Sequence, residues 1–200
     1  MLKIGLTGGI GSGKTQVTNQ LQALGATIVD TDVIAHRLTH PQGAAIEAIR
    51  TQFGAEFIQA DGSMNRALMR SVVFNQPQQR QRLEAILHPL IRQAAQSAII
   101  SAQGLYTVVV VPLLAEHPEW VRWVDRVCVV DCDAATQLKR VQQRTGLSLE
   151  QAQQMVQAQA SRAQRLALAD DIILNDGATD VATLQARVLR QHQHWLTLRP

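Results

Sequence analysis

Gly13-Lys14-Thr15 closes an eight-residue stretch, Gly8-Gly9-Ile10-Gly11-Ser12-Gly13-Lys14-Thr15, that fits the spacing G-x-x-x-x-G-K-[ST]. Each residue type has a chemical use in that pattern. Glycines admit backbone conformations closed to other residues, so successive N–H groups can curl inward as a nest for phosphate oxygens. Lys14 would bring a mobile ammonium to the β- and γ-phosphates of ATP, and Thr15 would offer its hydroxyl to Mg²⁺. The helix expected after the loop points the positive end of its dipole at the same place. An ordinary strand-to-helix turn has no need of Lys-Thr directly after its last glycine. The stretch therefore reads as a phosphate-binding P-loop, with Gly9–Thr15 as ATP-binding residues.

A second group with chemical potential is Asp30-Thr31-Asp32, at the end of an apolar run. In open parallel sheets, ligands gather beyond the carboxyl ends of the strands. One carboxylate there could take the proton of an acceptor hydroxyl while the other orients metal-bound water. The competing use is helix capping by Thr31 or Asp32, but a cap needs only one side chain. Asp131, closing another apolar run, reads as a helix cap or structural residue, or as a metal-orienting aspartate. No Asn-Lys-x-Asp guanine reader is present, so a GTP switch is not indicated. His36 follows the carboxylate pair and divides between acceptor contact and packing. His40 and His192 read as solvated. Glu84 and His88 have the one-turn spacing of an ion pair.

These residues need a frame. Apolar runs at Leu2–Leu6, Ala26–Val29, Thr107–Val111, Val127–Val130 and Ile172–Leu174 predict five strands separated by helical patterns, hence an α/β fold with a mostly parallel sheet. The core would comprise about 1–33, 104–135 and 169–200. From about 34 to 103 there is no strand pattern but several helical ones. Asp61-Gly62 and Gln76-Pro77 mark turns, and His88-Pro89 is expected to break or kink the last helix. That stretch reads as a helical insertion. Residues 136–168 read as a helical lid, broken at Thr145-Gly146 and restarted at Ser148, where Ser-Leu-Glu-Gln has capping-box spacing. Arg140, Arg144, Arg162 and Arg165 lie either side of the break, as suits a lid over phosphates.

The chain has 200 residues, of which 46% are hydrophobic and 18% charged, enough for a core without disulfide or metal staples. No apolar run reaches the roughly 18–20 residues of a membrane span, and the amino end lacks the pattern of a secretory signal. A cytoplasmic protein with no membrane partner is expected. Cys128 and Cys132 match no zinc spacing and read as thiols at the end of a buried strand. The net charge of +3 is carried by scattered arginines, and aromatic residues are only 4%. A nucleic-acid surface would show a basic stripe or stacking aromatics, so a small polyanion suits the charge better.

Beyond the loop, Asp30-Thr-Asp32-Val-Ile-Ala-His-Arg37, His88-Pro-Leu-Ile-Arg92, Val111-Pro-Leu-Leu-Ala-Glu116 and Ala169-Asp-Asp-Ile-Ile-Leu-Asn175-Asp-Gly177 resemble the blocks of dephospho-coenzyme A kinases, in order and spacing over about residues 2–177. The resemblance implies a P-loop NTPase fold with a substrate-binding insertion and a lid. It implies ATP- and Mg²⁺-dependent phosphorylation of the ribose 3′-hydroxyl of dephospho-coenzyme A, the last step of coenzyme A synthesis. It implies Asp32 as catalytic base, Lys14 and Arg140 on the transferring phosphoryl group, and Asn175 and Gly177 at the nucleotide base. Arg37, His88, Arg92, Pro112 and Leu113 would line the acceptor. Gln16, at the ATP site, stands where the family carries threonine, and Ala115 where it carries a larger residue. A monomer or weak homo-oligomer is expected. Another small-molecule or nucleoside monophosphate kinase is the alternative enzyme, and a nucleotide-gated assembly protein the alternative of another class.

Overall fold

A computed structural model describes residues 1–198. The chain divides into two compact units, Met1–Val29 with Ala102–Pro200, and Asp30–Ser101.

In the first unit, β1 (Lys3–Thr7), β2 (Thr27–Asp30), β3 (Thr107–Val110), β4 (Arg126–Asp131) and β5 (Asp171–Leu174) form one sheet in the order β2-β3-β1-β4-β5. β1 lies between β3 and β4 and runs parallel to both, with Leu6 opposite Val110 on one side and Cys128 on the other. β3 is buried along its whole length, which is why it reads as an unbroken β-branched run rather than an alternating one. The core places Ile4, Leu6, Val108, Val110 and Val130 against Val17 and Leu21 of α1 (Lys14–Ala23) and Leu184, Val188 and Trp195 of α9 (Val181–Thr197).

Polar groups fix α9 at its far end. Trp195 Nε1 donates to Asp171 Oδ2 at 3.0 Å, and Arg126 donates to the same carboxylate at 2.9 and 3.2 Å. Burial alone would raise the Asp171 pKa. The Arg126 and Trp195 hydrogen bonds outweigh it and hold the carboxyl below its usual range. His192 is buried, with Nδ1 2.9 Å from the Tyr106 hydroxyl. The expectation of a solvated His192 is therefore corrected: its position on the inner face of α9 brings it to a phenol that satisfies the ring. Cys128 and Cys132 are both buried free thiols, as expected.

Also in the first unit, α6 (Ala134–Thr145) ends at Gly146, whose φ of 69° suits a left-handed stop. α7 (Leu149–Gln157) opens on the expected capping box of Ser148 and Gln151, and α8 (Arg162–Ala167) on a second, of Ser161 and Gln164.

The second unit holds α2 (Thr31–Leu38), α3 (Ile46–Phe53), α4 (Arg66–Asn75) and α5 (Pro77–Ile100) around Ile46, Ile49, Phe57, Met69 and Ile86. α5 runs unbroken through Pro89, against the expected break. Proline removes one donor and crowds the preceding turn, yet Leu83, Ile86, Leu87 and Leu90 pack on the unit's core and hold the helix on both sides. Glu84 pairs with Arg80 at 3.0 Å.

Candidate active site

The loop Gly8–Gly13 leaves β1 and enters α1 through Gly13, which has φ 91° and caps the helix without a side-chain bond. Only glycine takes that conformation readily, and any Cβ on Gly13 would overlap the Asn175 amide. Gly11, at φ 75°, lies close against the backbone of Gln137, whose carbonyl oxygen a Cβ would meet at 2.9 Å. The glycine spacing thus answers to two needs at once, the curl of the loop and the close approach of its neighbours.

Those neighbours hold the loop by its carbonyl and amide groups. Asn175, itself buried, donates from Nδ2 to Ser12 O at 2.7 Å. Arg140 donates from Nη1 to Asn175 O at 2.9 Å and Gly11 O at 3.3 Å, and from Nη2 to Asp176 O at 3.4 Å. Gln137 donates from Nε2 to Ile10 O at 2.9 Å, and Ile10 N–H donates to Gln159 Oε1 at 2.7 Å. Gly177 lies against Thr136 at the start of α6. Lys14 folds back over the loop, with Nζ 2.5 Å from Gly8 O and 3.3 Å from Gly9 O. The Ser12 hydroxyl is buried and has no partner among the described residues. A buried hydroxyl without a partner is costly, so a polar ligand seated in the loop suits it.

No group of three or more His, Cys, Asp or Glu among the described residues could by itself hold a metal ion. Thr15, exposed at the first turn of α1, is a single hydroxyl. Such a donor set fits Mg²⁺, which keeps most of its waters and binds through phosphates with one or two protein oxygens.

Asp131 neither caps a helix nor stands open to a metal. It is buried, and both of its oxygens accept from Arg162, at 2.8 and 2.6 Å. These hydrogen bonds, against burial, hold its pKa below the usual range. Asp133 caps α6 instead, accepting from Thr136 N at 2.8 Å. Two residues past the strand, it is the carboxylate that can turn back to the helix.

In the second unit the carboxylate pair separates by role. Asp30 caps α2, its Oδ1 accepting from Asp32 N at 2.8 Å and Val33 N at 3.2 Å. Asp32 stands in the first turn, exposed. The cap is thus Asp30, not Thr31 or Asp32, because only the residue before the first turn has its carboxylate beside the open amides. Arg37 is exposed on the last turn of α2, and His88 and Arg92 are half-buried, four residues apart on α5. His36 Nδ1 lies 2.7 Å from His40 Nε2, and the neighbouring Arg66 charge, then slight burial and His40, lower the His36 pKa. Pro112 and Leu113 follow β3 in the first unit, where Pro112 O accepts from the Thr7 hydroxyl at 3.3 Å.

Gln137 and Gln159 were not legible as loop contacts, and Arg165 was legible only as one of four lid arginines. The one local signal was Ser161-x-x-Gln164, a capping spacing that places α8 and sets Arg162 and Arg165 three residues apart on it.

The sequence model of the dephospho-CoA kinase family matches residues 2–180. A dephospho-CoA kinase from Burkholderia pseudomallei is 56% identical over 196 residues, covering 98% of this chain and 96% of that protein. Among solved structures, a Thermus thermophilus protein aligns with a TM-score of 0.84 at 26% identity, covering 98% of this chain and 97% of its own. A dephospho-CoA kinase from Campylobacter jejuni aligns with a TM-score of 0.71 at 25% identity over the same shares. A match across nearly the whole chain, joined to a phosphate loop of this geometry, leaves one assignment: the chain belongs to the dephospho-CoA kinase family.

Proposed function

We infer that this chain transfers the γ-phosphoryl group of ATP to the ribose 3′-hydroxyl of dephospho-coenzyme A, giving coenzyme A and ADP. The observation that carries the reading is the loop itself, with left-handed Gly11 and Gly13, the folded-back Lys14 and the buried, unpartnered Ser12 hydroxyl. Family membership supplies the acceptor.

In the reaction the acceptor O–H proton passes to the Asp32 carboxylate as the oxygen attacks the γ-phosphorus. The bond from that phosphorus to the β–γ bridging oxygen breaks, and ADP leaves. Most of the catalytic demand is alignment and charge. Gly9–Thr15 and Gln16 take the triphosphate, with Lys14 moving from the loop carbonyls to the phosphates. Arg140, already clamped across Gly11 and Asn175, adds positive charge beside them. Asn175 and Gly177 face the nucleotide base. Arg37, His88, Arg92, Pro112 and Leu113 line the acceptor. Mg²⁺, held by Thr15 and phosphate oxygens, would neutralise charge on the triphosphate. Gln159 on the Ile10 amide, with Gln137 and Arg165 against Gly9, limits water, which would otherwise compete with the acceptor. The 34–103 insertion binds substrate and 136–168 is the lid. The protein acts in the cytoplasm as a monomer or weak homo-oligomer, without nucleic acid or membrane, consistent with its dispersed charge. No helix among the described residues is long and apolar enough to cross a membrane.

Chelation tests the metal and the acceptor together. With ATP and dephospho-coenzyme A present, ADP release should fall to background on adding excess EDTA and return with MgCl₂. Adenosine monophosphate or shikimate in place of dephospho-coenzyme A should give no release above ATP alone. Turnover that survives EDTA would show a reaction without the metal, and equal turnover with another acceptor would show that dephospho-coenzyme A is not the preferred substrate.

A further inference from the structure

Two cations meet the Gly8–Gly9 end of the loop. Lys14 Nζ lies against the carbonyls of both glycines. Arg165 comes up on Gly9 from α8, so close that a Cβ on Gly9 would lie 2.9 Å from Nη2 and 3.1 Å from Cζ. Gly9 is therefore the residue that admits a guanidinium to the loop. Arg140 sits elsewhere, on the carbonyls of Gly11, Asn175 and Asp176.

We propose that Arg165 is a catalytic residue of this chain, gripping the transferred γ-phosphoryl group at the Gly8–Gly9 end of the loop. The proposal rests on reading the loop as the ATP site and adds a residue to it. Arg162 and Arg165 look alike in sequence but differ in surroundings. Arg162 is neutralised by both oxygens of Asp131. Arg165 is only 7% exposed, its Nη1 donates to Ala160 O, and among the described residues no carboxylate forms an ion pair with it. Glu116 and Asp131 lie near enough to favour its charge, but Glu116 accepts from Ala160 N and Asp131 is taken up by Arg162. A buried cation with no direct partner is unfavourable, and a phosphoryl oxygen would pair with it. The planar guanidinium fork matches phosphate geometry, with Nη2 already turned to the loop. Burial lowers the Arg165 pKa, but arginine stays charged in proteins.

The segment carrying Arg165 is fixed at several points. Ala160 N donates to Glu116 Oε1 at 2.7 Å, Gln159 Oε1 accepts from Ile10 N at 2.7 Å, and Arg162 binds Asp131. These contacts hold the guanidinium in place before any ligand arrives, so its ordering adds little cost on binding.

Calorimetric titration of the whole protein with Mg²⁺-ADP and with Mg²⁺-β,γ-imido-ATP tests this. In Arg165→Gln, ADP should bind within about twofold of the unsubstituted chain while the triphosphate analogue weakens about tenfold or more, as expected for a lost charge-assisted bond. Arg165→Lys keeps the charge and loses the fork, so it should show the same ordering with a smaller ratio. It also decides the matter should Arg165→Gln fail to fold. Equal weakening of both nucleotides, or no weakening of the analogue, overturns the proposal. If the unsubstituted chain binds neither nucleotide, the reading of the loop fails as well.

Discussion

Lys14→Ala should lower kcat for phosphoryl transfer about 10³-fold, the scale set by removing a preorganised electrostatic group at a developing charge. The ammonium is the mobile charge of the loop, held at 2.5 Å from Gly8 O and 3.3 Å from Gly9 O. Movement onto the phosphates exchanges two neutral carbonyl acceptors for anionic oxygens, and charge-assisted bonds are roughly twice as strong. Alanine removes both sets of contacts. The loop should nevertheless keep its shape, since Asn175, Arg140 and Gln137 bond to its carbonyls. Melting temperature should therefore change little while turnover collapses. Steady-state kinetics at saturating ATP and acceptor checks this, and a kcat within tenfold of the unsubstituted chain would remove Lys14 from the chemistry.

Asp32→Asn should keep nucleotide binding and lose about 10²–10⁴-fold in turnover, the range for a positioned general base. The substitution is nearly isosteric and leaves the Asp30 cap of α2 intact. Asp30→Asn makes the internal control. Asparagine caps helices about as well as aspartate, so that variant should keep most of its activity. A loose phosphoryl-transfer transition state places modest demand on a base, so the lower end of the range remains meaningful. Equal losses from the two substitutions would show that a general change in charge, rather than proton transfer to Asp32, underlies the effect.

The elements that fix the sheet could be read from local patterns. Buried parallel strands must be apolar on both faces, so the runs Thr107–Val111 and Val127–Val130 marked the strands found at Thr107–Val110 and Arg126–Asp131. The phosphate loop was legible because its function depends on backbone conformation, which glycine spacing records directly. The Ser148 capping box was legible for the same reason: donor and acceptor lie three residues apart. What stayed hidden depends on distant partners. Gln137 meets Ile10 across 127 positions and Gln159 across 149, and no local rule pairs a glutamine with a loop that far away. Asp131 could be read as a cap until the end of β4 turned it inward toward Arg162 and left Asp133 to cap α6. His192 is polar by type and buried by helix phase, satisfied by a tyrosine 86 residues earlier. Pro89 shows the converse, a strong local signal overridden by packing on either side of it.

The Gly8–Thr15 loop should deliver the γ-phosphoryl group to a sugar hydroxyl, not to water. Incubation with γ-labelled ATP, MgCl₂ and dephospho-coenzyme A, followed by separation of products, measures this directly. The label should appear in coenzyme A as a 3′-phosphate, in step with ADP. Label recovered only as inorganic phosphate, or remaining in ATP, would show that the loop does not serve transfer to this acceptor.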